Sequence, residues 1–303
     1  MLPMMKFKAL GKTNEQVSVV GLGTWQFGGE WGVDFSAEQV DPIFDAARDC
    51  GINLIDTAEC YGDHLSESLI GAAIEADRDN WFLATKFGHH FHSKYTRSEV
   101  RSGPDVVTQL EDSLKALRTD RIDLYQYHSW GNDEVYADDV QAVLLKAKDD
   151  GKIRFLGNSV QTSGDSSIQV AQCSKYQMDA IQIVYNRLAR EPEAKSFAIC
   201  EQENLGVLAR VPLASGYLSG KYKPGHHFDD TEVRGKYHAE SERNQWLAEV
   251  EQIRADEVPA GVDMAQWAIA WCLKHPAVTC VIPGVKNAEQ VRSNAAASDL
   301  SFD

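Results

Sequence analysis

The apolar run Asn53-Leu54-Ile55 drives into Asp56, and Tyr61 follows five residues later in NLIDTAECYG. Lys86 stands near the end of WFLATKF, and His128 ends IDLYQYH. A carboxylate, a phenol, an ammonium and an imidazole are groups with which a protein can polarise a carbonyl. A buried lysine is costly unless paired, and Asp56 is its natural partner. An ammonium beside Tyr61 favours tyrosinate, so it is expected to lower the phenol's pKa from its usual ~10. Tyr61 then becomes a better proton donor near neutral pH. His128 can give a second hydrogen bond to the same substrate oxygen, completing a site for a developing alkoxide. None of these side chains donates electrons, so the cluster calls for a hydride cofactor. Singly, each has a bland reading as a turn cap, a half-buried turn aromatic, a snorkelling lysine or a rim histidine. At the ends of three consecutive strands they read together as a site.

Positioning them requires strands that end at one face. Short runs rich in β-branched residues predict strands at 17–22, 52–56, 81–87, 122–128, 152–157, 180–186, 207–210 and 278–284. Amphipathic stretches predict helices at 36–50, 66–76, 104–117, 135–149, 165–175, 193–203, 241–255, 262–274 and 287–297. Ser36-Ala37-Glu38-Gln39 is a capping box, Gly51 suits a C′ position, and Gly206 is expected to close the helix before it. Eight strand–helix units in succession predict an α/β fold, a single (β/α)₈ barrel domain over residues 1–303, with an N-terminal strand or hairpin before it. A doubly wound sheet is the runner-up, but no G-x-G-x-x-G follows the first strand. In a barrel the site lies at the C-terminal ends of the strands, where Asp56, Lys86 and His128 fall. The polar stretch 221–240 is longer than a usual connection and is expected to act as a loop over the site.

A formal charge of -15 argues against a nucleic-acid partner. The six cysteines are scattered without C-x-x-C pairing, as in a reducing compartment. MLPMMKFKAL has no apolar stretch long enough for a signal peptide, so none is expected, and no run approaches the ~20 apolar residues of a membrane helix. A cytoplasmic protein with no membrane partner is expected; homo-oligomerisation is not derivable from these features.

The motifs GLGTWQFGG (21–29), NLIDTAECYG (53–62), ATKFG (84–88), DLYQYHSW (123–130), IQIVYN (181–186), PLASGYLSGKY (212–222) and IPGVKNAEQVRSN (282–294) run in order along nearly the whole chain. With them the chain resembles the aldo-keto reductase superfamily, most closely its bacterial and potassium-channel-β-like branch. The resemblance implies an Asp-Tyr-Lys-His tetrad at Asp56, Tyr61, Lys86 and His128, and reduction of a small aldehyde or ketone. It implies NADPH bound in an extended pose across the barrel mouth. Gly23, Thr24, Trp25 and Asp56 would lie beside cofactor and substrate, and Ser159 and Gln182 would hold the carboxamide. Leu213, Ser215, Gly216, Leu218 and Lys221 match the pyrophosphate loop, and Gly284, Lys286, Gln290 and Asn294 the adenosine end.

Three departures stand out. Gly157-Asn158-Ser159-Val160 keeps the family's serine but lacks the amide at 160. Arg210 occupies a place where many members have an aromatic against the nicotinamide; its charge would disfavour NADP⁺ relative to NADPH. Gln290 replaces an arginine near the 2′-phosphate, and Lys286 keeps one positive charge there, so NADPH is expected with NADH as the alternative. Trp25, Trp31, Phe87, Trp130 and Tyr217 adjoin motifs at strand ends and are expected to wall the substrate pocket. Glu59 and Cys60 read as spacers, the thiol as a small hydrophobe.

Two rivals stay open. His89, His90 and His92, with His128, His64, His226 and His227, could serve a metal-dependent barrel hydrolase or isomerase. Against it, no H-x-H lies on the first strand and a lysine–tyrosine pair has no part in such chemistry, so no metal is expected. The other is a redox-sensing regulatory subunit with slow turnover.

Overall fold

The strands alternate in side-chain direction, and that parity builds two cores. In the computed structural model, which describes residues 5–131, 136–162, 164–229 and 233–300, a hairpin comes first, β1 (Phe7–Ala9) and β2 (Gln16–Ser18). Eight parallel strands follow in the ring: β3 (Leu22–Gly23), β4 (Leu54–Asp56), β5 (Phe82–Phe87), β8 (Ile122–His128), β9 (Ile153–Ser159), β10 (Ala180–Val184), β11 (Gly206–Arg210) and β12 (Cys280–Ile282). A second antiparallel hairpin, β6 (His89–Ser93) and β7 (Thr96–Glu99), is inserted after β5. The bridges Val20–Val281 and Gly23–Gly284 close the ring between its first and last strands.

Residues of one parity, among them Leu54, Phe82, Ala84, Leu124, Ala180, Leu208 and Cys280, fill the barrel interior. Those of the other parity, among them Leu83, Phe87, Tyr125, Tyr127 and Ile181, face the helices in the larger outer core. Each fully buried side chain of this kind contributes about 1.5–3 kcal/mol. The helices are α1 (Ala37–Asp49), α2 (Leu65–Ile74), α3 (Gly103–Ala116), α4 (Asp138–Asp149), α5 (Ser167–Val170), α6 (Ser196–Gln202), α7 (Val233–Tyr237), α8 (Glu240–Asp256), α9 (Met264–Leu273) and α10 (Ala288–Ala296). Local signals start several of them. The Ser36 N–H donates to Gln39 Oε1 (3.0 Å), and Asn287 and Asp263 cap α10 and α9 through their side chains.

The eight-unit barrel is therefore as expected, with four differences. The run 17–22 is two elements, the end of the bottom hairpin and the short β3. The stretch 165–175 holds only one helical turn, α5, followed by turns. Gly206 opens β11 instead of closing a helix. A Cβ there would lie 2.5 Å from Leu10 Cδ1, because Leu10 and Val17 of the first hairpin plug the bottom of the barrel. The β6–β7 hairpin was unforeseen. The expected helix start at 135 and residues 230–232 of the long loop lie outside the described residues, as do residues 1–4 of the N-terminal segment.

Candidate active site

Strand register sets the inward-facing layer near the mouth. Asp56 ends β4; Lys86 on β5 pairs in register with Gln126 on β8; His128 pairs with Ser159, and Ser159 with Gln182. Lys86 is fully buried. Its ammonium donates to Asp56 Oδ1 (2.8 Å), Thr57 O (2.6 Å) and Tyr61 Oη (3.3 Å). Gln126 Nε2 and Gln182 Nε2 donate to the other carboxylate oxygen of Asp56 at 3.2 and 2.5 Å. Ser159 Oγ reaches Gln182 Oε1 at 3.4 Å. One network thus runs from β9 through Asp56 to the phenol. Asp56, Tyr61 and Lys86, expected together from sequence, are brought together, and His128 lies beside them with its ring centroid 6.1 Å from that of Tyr61.

The electrostatics differ from the sequence argument at Tyr61. Burial pushes the phenol's pKa up, Lys86 pulls against it, and Asp56 reinforces the rise. The ammonium's charge is largely spent on Asp56, so the expected net lowering does not occur. The phenol is protonated at neutral pH, as a proton donor must be. Burial alone would discharge Lys86, but Asp56 and Tyr61 outweigh it and hold the ammonium charged. His128 is held neutral, first by burial and then by His89, Lys86, Arg97 and Arg210. Its Nδ1 lies 3.6 Å from Cys60 Sγ, and burial keeps that thiol protonated. With that thiol donating, Nδ1 accepts and the imidazole proton stands on Nε2.

A cavity of about 260 Å³ opens beside the phenol, lined by Trp25, Glu30, His89, Tyr95, Arg97 and Glu99. Trp25 stacks on Tyr61 (6.1 Å) and meets Trp31 edge to face (5.3 Å). The wall opposite is the β6–β7 hairpin. Arg97 pairs with buried Glu30, its guanidinium 6.0 Å from the Tyr61 ring centroid, and Tyr95 Oη donates to Glu30 O at 2.7 Å. Burial raises the Glu30 pKa, with Arg97 opposing.

Of the five expected pocket aromatics, only Trp25 lines this cavity. Phe87 follows inward-facing Lys86, so it points outward, where it packs on Tyr125 and Tyr127. Trp130 is buried against Phe87 and Tyr127 beneath the Arg101 guanidinium. Tyr217 is buried against Phe228 and Trp246 in a satellite core. Trp31 lies behind Trp25, with Lys286 Nζ on its carbonyl at 3.0 Å. The expected loop over the site reaches this side as well, through Arg234, whose guanidinium is 5.8 Å from the Trp31 ring. The expected histidine cluster is dispersed: His64 pairs with Glu67, His90 meets His92 edge to face and His226 packs tilted on Tyr222, while His89 approaches His128 (4.7 Å).

The residues matched to a cofactor lie around the same mouth. Gly23 faces Gly284 across the ring closure. The Thr24 hydroxyl donates to Asp56 O at 2.9 Å, joining β3 to β4. Arg210 donates from Nη2 to Val160 O (2.9 Å), while its Nε is buried with no partner. Ala214, Ser215 and Gly216 are all left-handed, with φ +47, +57 and +92°, and the last suits a glycine. The amides of Gly216 and Leu218 are committed to Leu213 O, and the Leu218 side chain is buried in the satellite core, so Leu218 does not face the mouth through its side chain. Lys221 is exposed. At the adenosine end, Lys286 N donates to Gln290 Oε1 (2.8 Å), and buried Asn294 keeps Nδ2 without a partner. Unpartnered buried donors at Arg210 and Asn294 are what a polar, extended ligand would satisfy. The chain fits a dinucleotide.

Sequence reasoning missed Gln126, Glu30 and Arg97, and named His89 only as a candidate metal ligand. Gln126 could have been found, since it shares the parity of Leu124 and His128 on one strand.

A barrel whose mouth carries a buried ion pair joined to a phenol belongs with the enzymes that act on polar small molecules at that end. The sequence model of the Aldo/keto reductase family matches residues 19–303. The chain belongs to this family, oxidoreductases that act on carbonyl groups with nicotinamide cofactors. Aldo-keto reductase YhdN of Bacillus subtilis is 29% identical over 300 residues, covering 95% of this chain and 87% of the relative. The NADH-specific methylglyoxal reductase of Escherichia coli is 29% identical over 318 residues, covering 98% and 95%. Among solved structures, the aldo-keto reductase AKR11C1 from Bacillus halodurans in its holo form superposes with a TM-score of 0.81 at 27% identity, covering 98% of this chain and 92% of that one. Among the described residues no helix is long and apolar enough to cross a membrane.

Proposed function

We propose that this protein reduces a small aldehyde or ketone to the alcohol with NADPH, Tyr61 supplying the proton. The carrying observation is the Lys86 ammonium, shared between Asp56 Oδ1 (2.8 Å) and Tyr61 Oη (3.3 Å). A carbonyl seated in the cavity beside Trp25 accepts a hydrogen bond from Tyr61 Oη and a second from the His128 Nε2–H. As negative charge grows on the oxygen, the phenol's proton moves onto it and Lys86 stabilises the phenolate left behind. Asp56, fixed by Gln126 and Gln182, keeps the ammonium from following the phenol. The nicotinamide, when bound, supplies the hydride. Ser159, Gln182 and Arg210 would hold it at the mouth, Ser215 and Lys221 would meet the pyrophosphate, and Asn294 the adenosine. Lys286 supplies a cation for a 2′-phosphate, which supports NADPH, and Gln290 in place of an arginine leaves NADH as a weaker alternative. All six cysteines are free and buried, which supports a cytoplasmic location.

Tyr61→Phe tests the reading. It should lower kcat by about 10²–10⁴-fold, with NADPH affinity, followed by tryptophan quenching, within about twofold of wild type. Undiminished turnover across a panel of aldehydes, ketones and sugars, assayed with each cofactor, would remove Tyr61 from the mechanism.

A further inference from the structure

Next to Tyr61 the structure gathers four side chains that the mechanism uses only in part. Glu59 and Cys60 come from the loop after β4, His128 from the end of β8 and His89 from the start of β6. Each offers one ligand atom, and these atoms all lie within 4.8 Å of one another. Cys60 Sγ and His128 Nδ1 are 3.6 Å apart, and the rings of His89 and His128 stand perpendicular at 4.7 Å. A tetrahedral zinc with Zn–S near 2.3 Å and Zn–N near 2.0–2.1 Å sets its sulfur and nitrogen ligands roughly 3.5 Å apart. That pair is already spaced for an ion; the others, within 4.8 Å of one another, need to close by at most about 1.3 Å.

A second observation points to a ligand. Glu59 is 3% exposed; its Oε1 accepts the His89 N–H at 3.0 Å, but its Oε2 is buried with no partner. A buried carboxyl oxygen without a partner is costly, and a cation taking the place of its proton would satisfy it. We propose that Glu59, Cys60, His89 and His128 form a binding site for a divalent zinc-type cation, and that its occupancy inhibits the enzyme. Thiolate, two imidazoles and a carboxylate suit Zn²⁺ or Co²⁺ and discriminate against Mg²⁺ and Ca²⁺. On entry, Cys60 and Glu59 release their protons to solvent, so two negative ligands cancel the ion's charge. That neutrality lets the ion sit among the cations Lys86, Arg97 and Arg210 that face His128, with Glu30 also close to Cys60. The ion takes Nδ1 of His128 in place of the Cys60 thiol and draws His89, with its hairpin, toward the phenol. His89 lines the cavity beside the phenol, so drawing it inward takes space from the carbonyl.

The binding claim stands without the reductase reading; the inhibition rests on it. Metal-stripped protein titrated with Co²⁺ alone should gain one equivalent of a thiolate-to-cobalt charge-transfer band, and Zn²⁺ should bleach it. Cys60→Ala should abolish the band, and His89→Gln should weaken cobalt affinity at least tenfold, with unchanged circular dichroism showing both variants folded. Absence of the band in the wild type, or its survival in Cys60→Ala, would overturn the site. In NADPH-oxidation assays, equimolar Zn²⁺ should slow the wild type at least tenfold, reversed by chelator, and slow Cys60→Ala less than twofold relative to its own metal-free rate. Binding with undiminished turnover would overturn the inhibition alone. Cobalt binding in a protein that reduces no carbonyl would instead remove the reductase reading and leave the site.

Discussion

The polar layer on the barrel strands and the charged pocket beneath the β6–β7 hairpin meet at Tyr61, and they are built differently. In the layer, Asp56, Lys86, Gln126, Ser159 and Gln182 come from five ring strands, and register alone brings them into hydrogen-bond range. In the pocket, Arg97 reaches Glu30 from an inserted hairpin, and the contact depends on one ion pair and the Tyr95 hydroxyl. The layer is rigid because the sheet fixes every Cα. The pocket is set by side chains on connections, the part of such a fold that can change without disturbing the ring. On the function proposed above, chemistry would belong to the first region and substrate choice to the second.

Lys86→Met attacks that division most severely. It should reduce kcat by about 10²–10⁴-fold. Stranding Asp56 in a buried layer should also destabilise the protein by about 3–5 kcal/mol. Urea unfolding and single-turnover kinetics read the two effects, and the double variant Asp56→Asn/Lys86→Met should recover most of the stability but none of the rate.

Glu59, at the seam between the regions, has its carboxyl pushed up to about 8 by burial, with the His89 N–H opposing. The folded state then holds a proton that the unfolded state loses above its ordinary pKa near 4.5. Stability should therefore be full below that value and decline as pH rises toward 8, by at most about 1.4 kcal/mol per pH unit. Glu59→Gln, unfolded by urea across this range with chelator present, should flatten the decline; an equally steep profile would mean that Glu59 is ionised in the fold.

Arg97→Met is expected to act least on catalysis. It should raise KM about tenfold, near 1.4 kcal/mol of binding, with kcat changed only slightly. A loss confined to kcat would place Arg97 with the chemistry and dissolve the contrast.

The same contrast explains what the sequence disclosed. Asp56, Lys86 and His128 were legible because a strand end fixes both position and direction. Parity also rules out Phe87 as a pocket wall, since it follows inward-facing Lys86; proximity to a motif was the weaker guide. Tyr61 does stand beside Lys86, at 3.3 Å, but the expected titration weighs charge without burial, and burial decides it. The β6–β7 hairpin was opaque because HHFHSKYTRSE has no apolar face of its own. It is held by Glu30 and Asp34, about sixty residues earlier, through Arg97 and Lys94. Cys60 and Glu59 looked like spacers because their partners sit on β6 and β8.

The ring closure also constrains how the molecule is made. Gly21 N donates to Val281 O, Gly23 N to Pro283 O, and Lys8 Nζ to Val278 O, contacts spanning about 260–270 residues of chain. Contacts of such separation are slow to form. On a ribosome, β3 must wait for β12, at about 5–20 residues per second. A nascent chain short of residue 280 carries Asp56, Tyr61, Lys86 and His128 but leaves β3 as an open sheet edge, a template for aggregation.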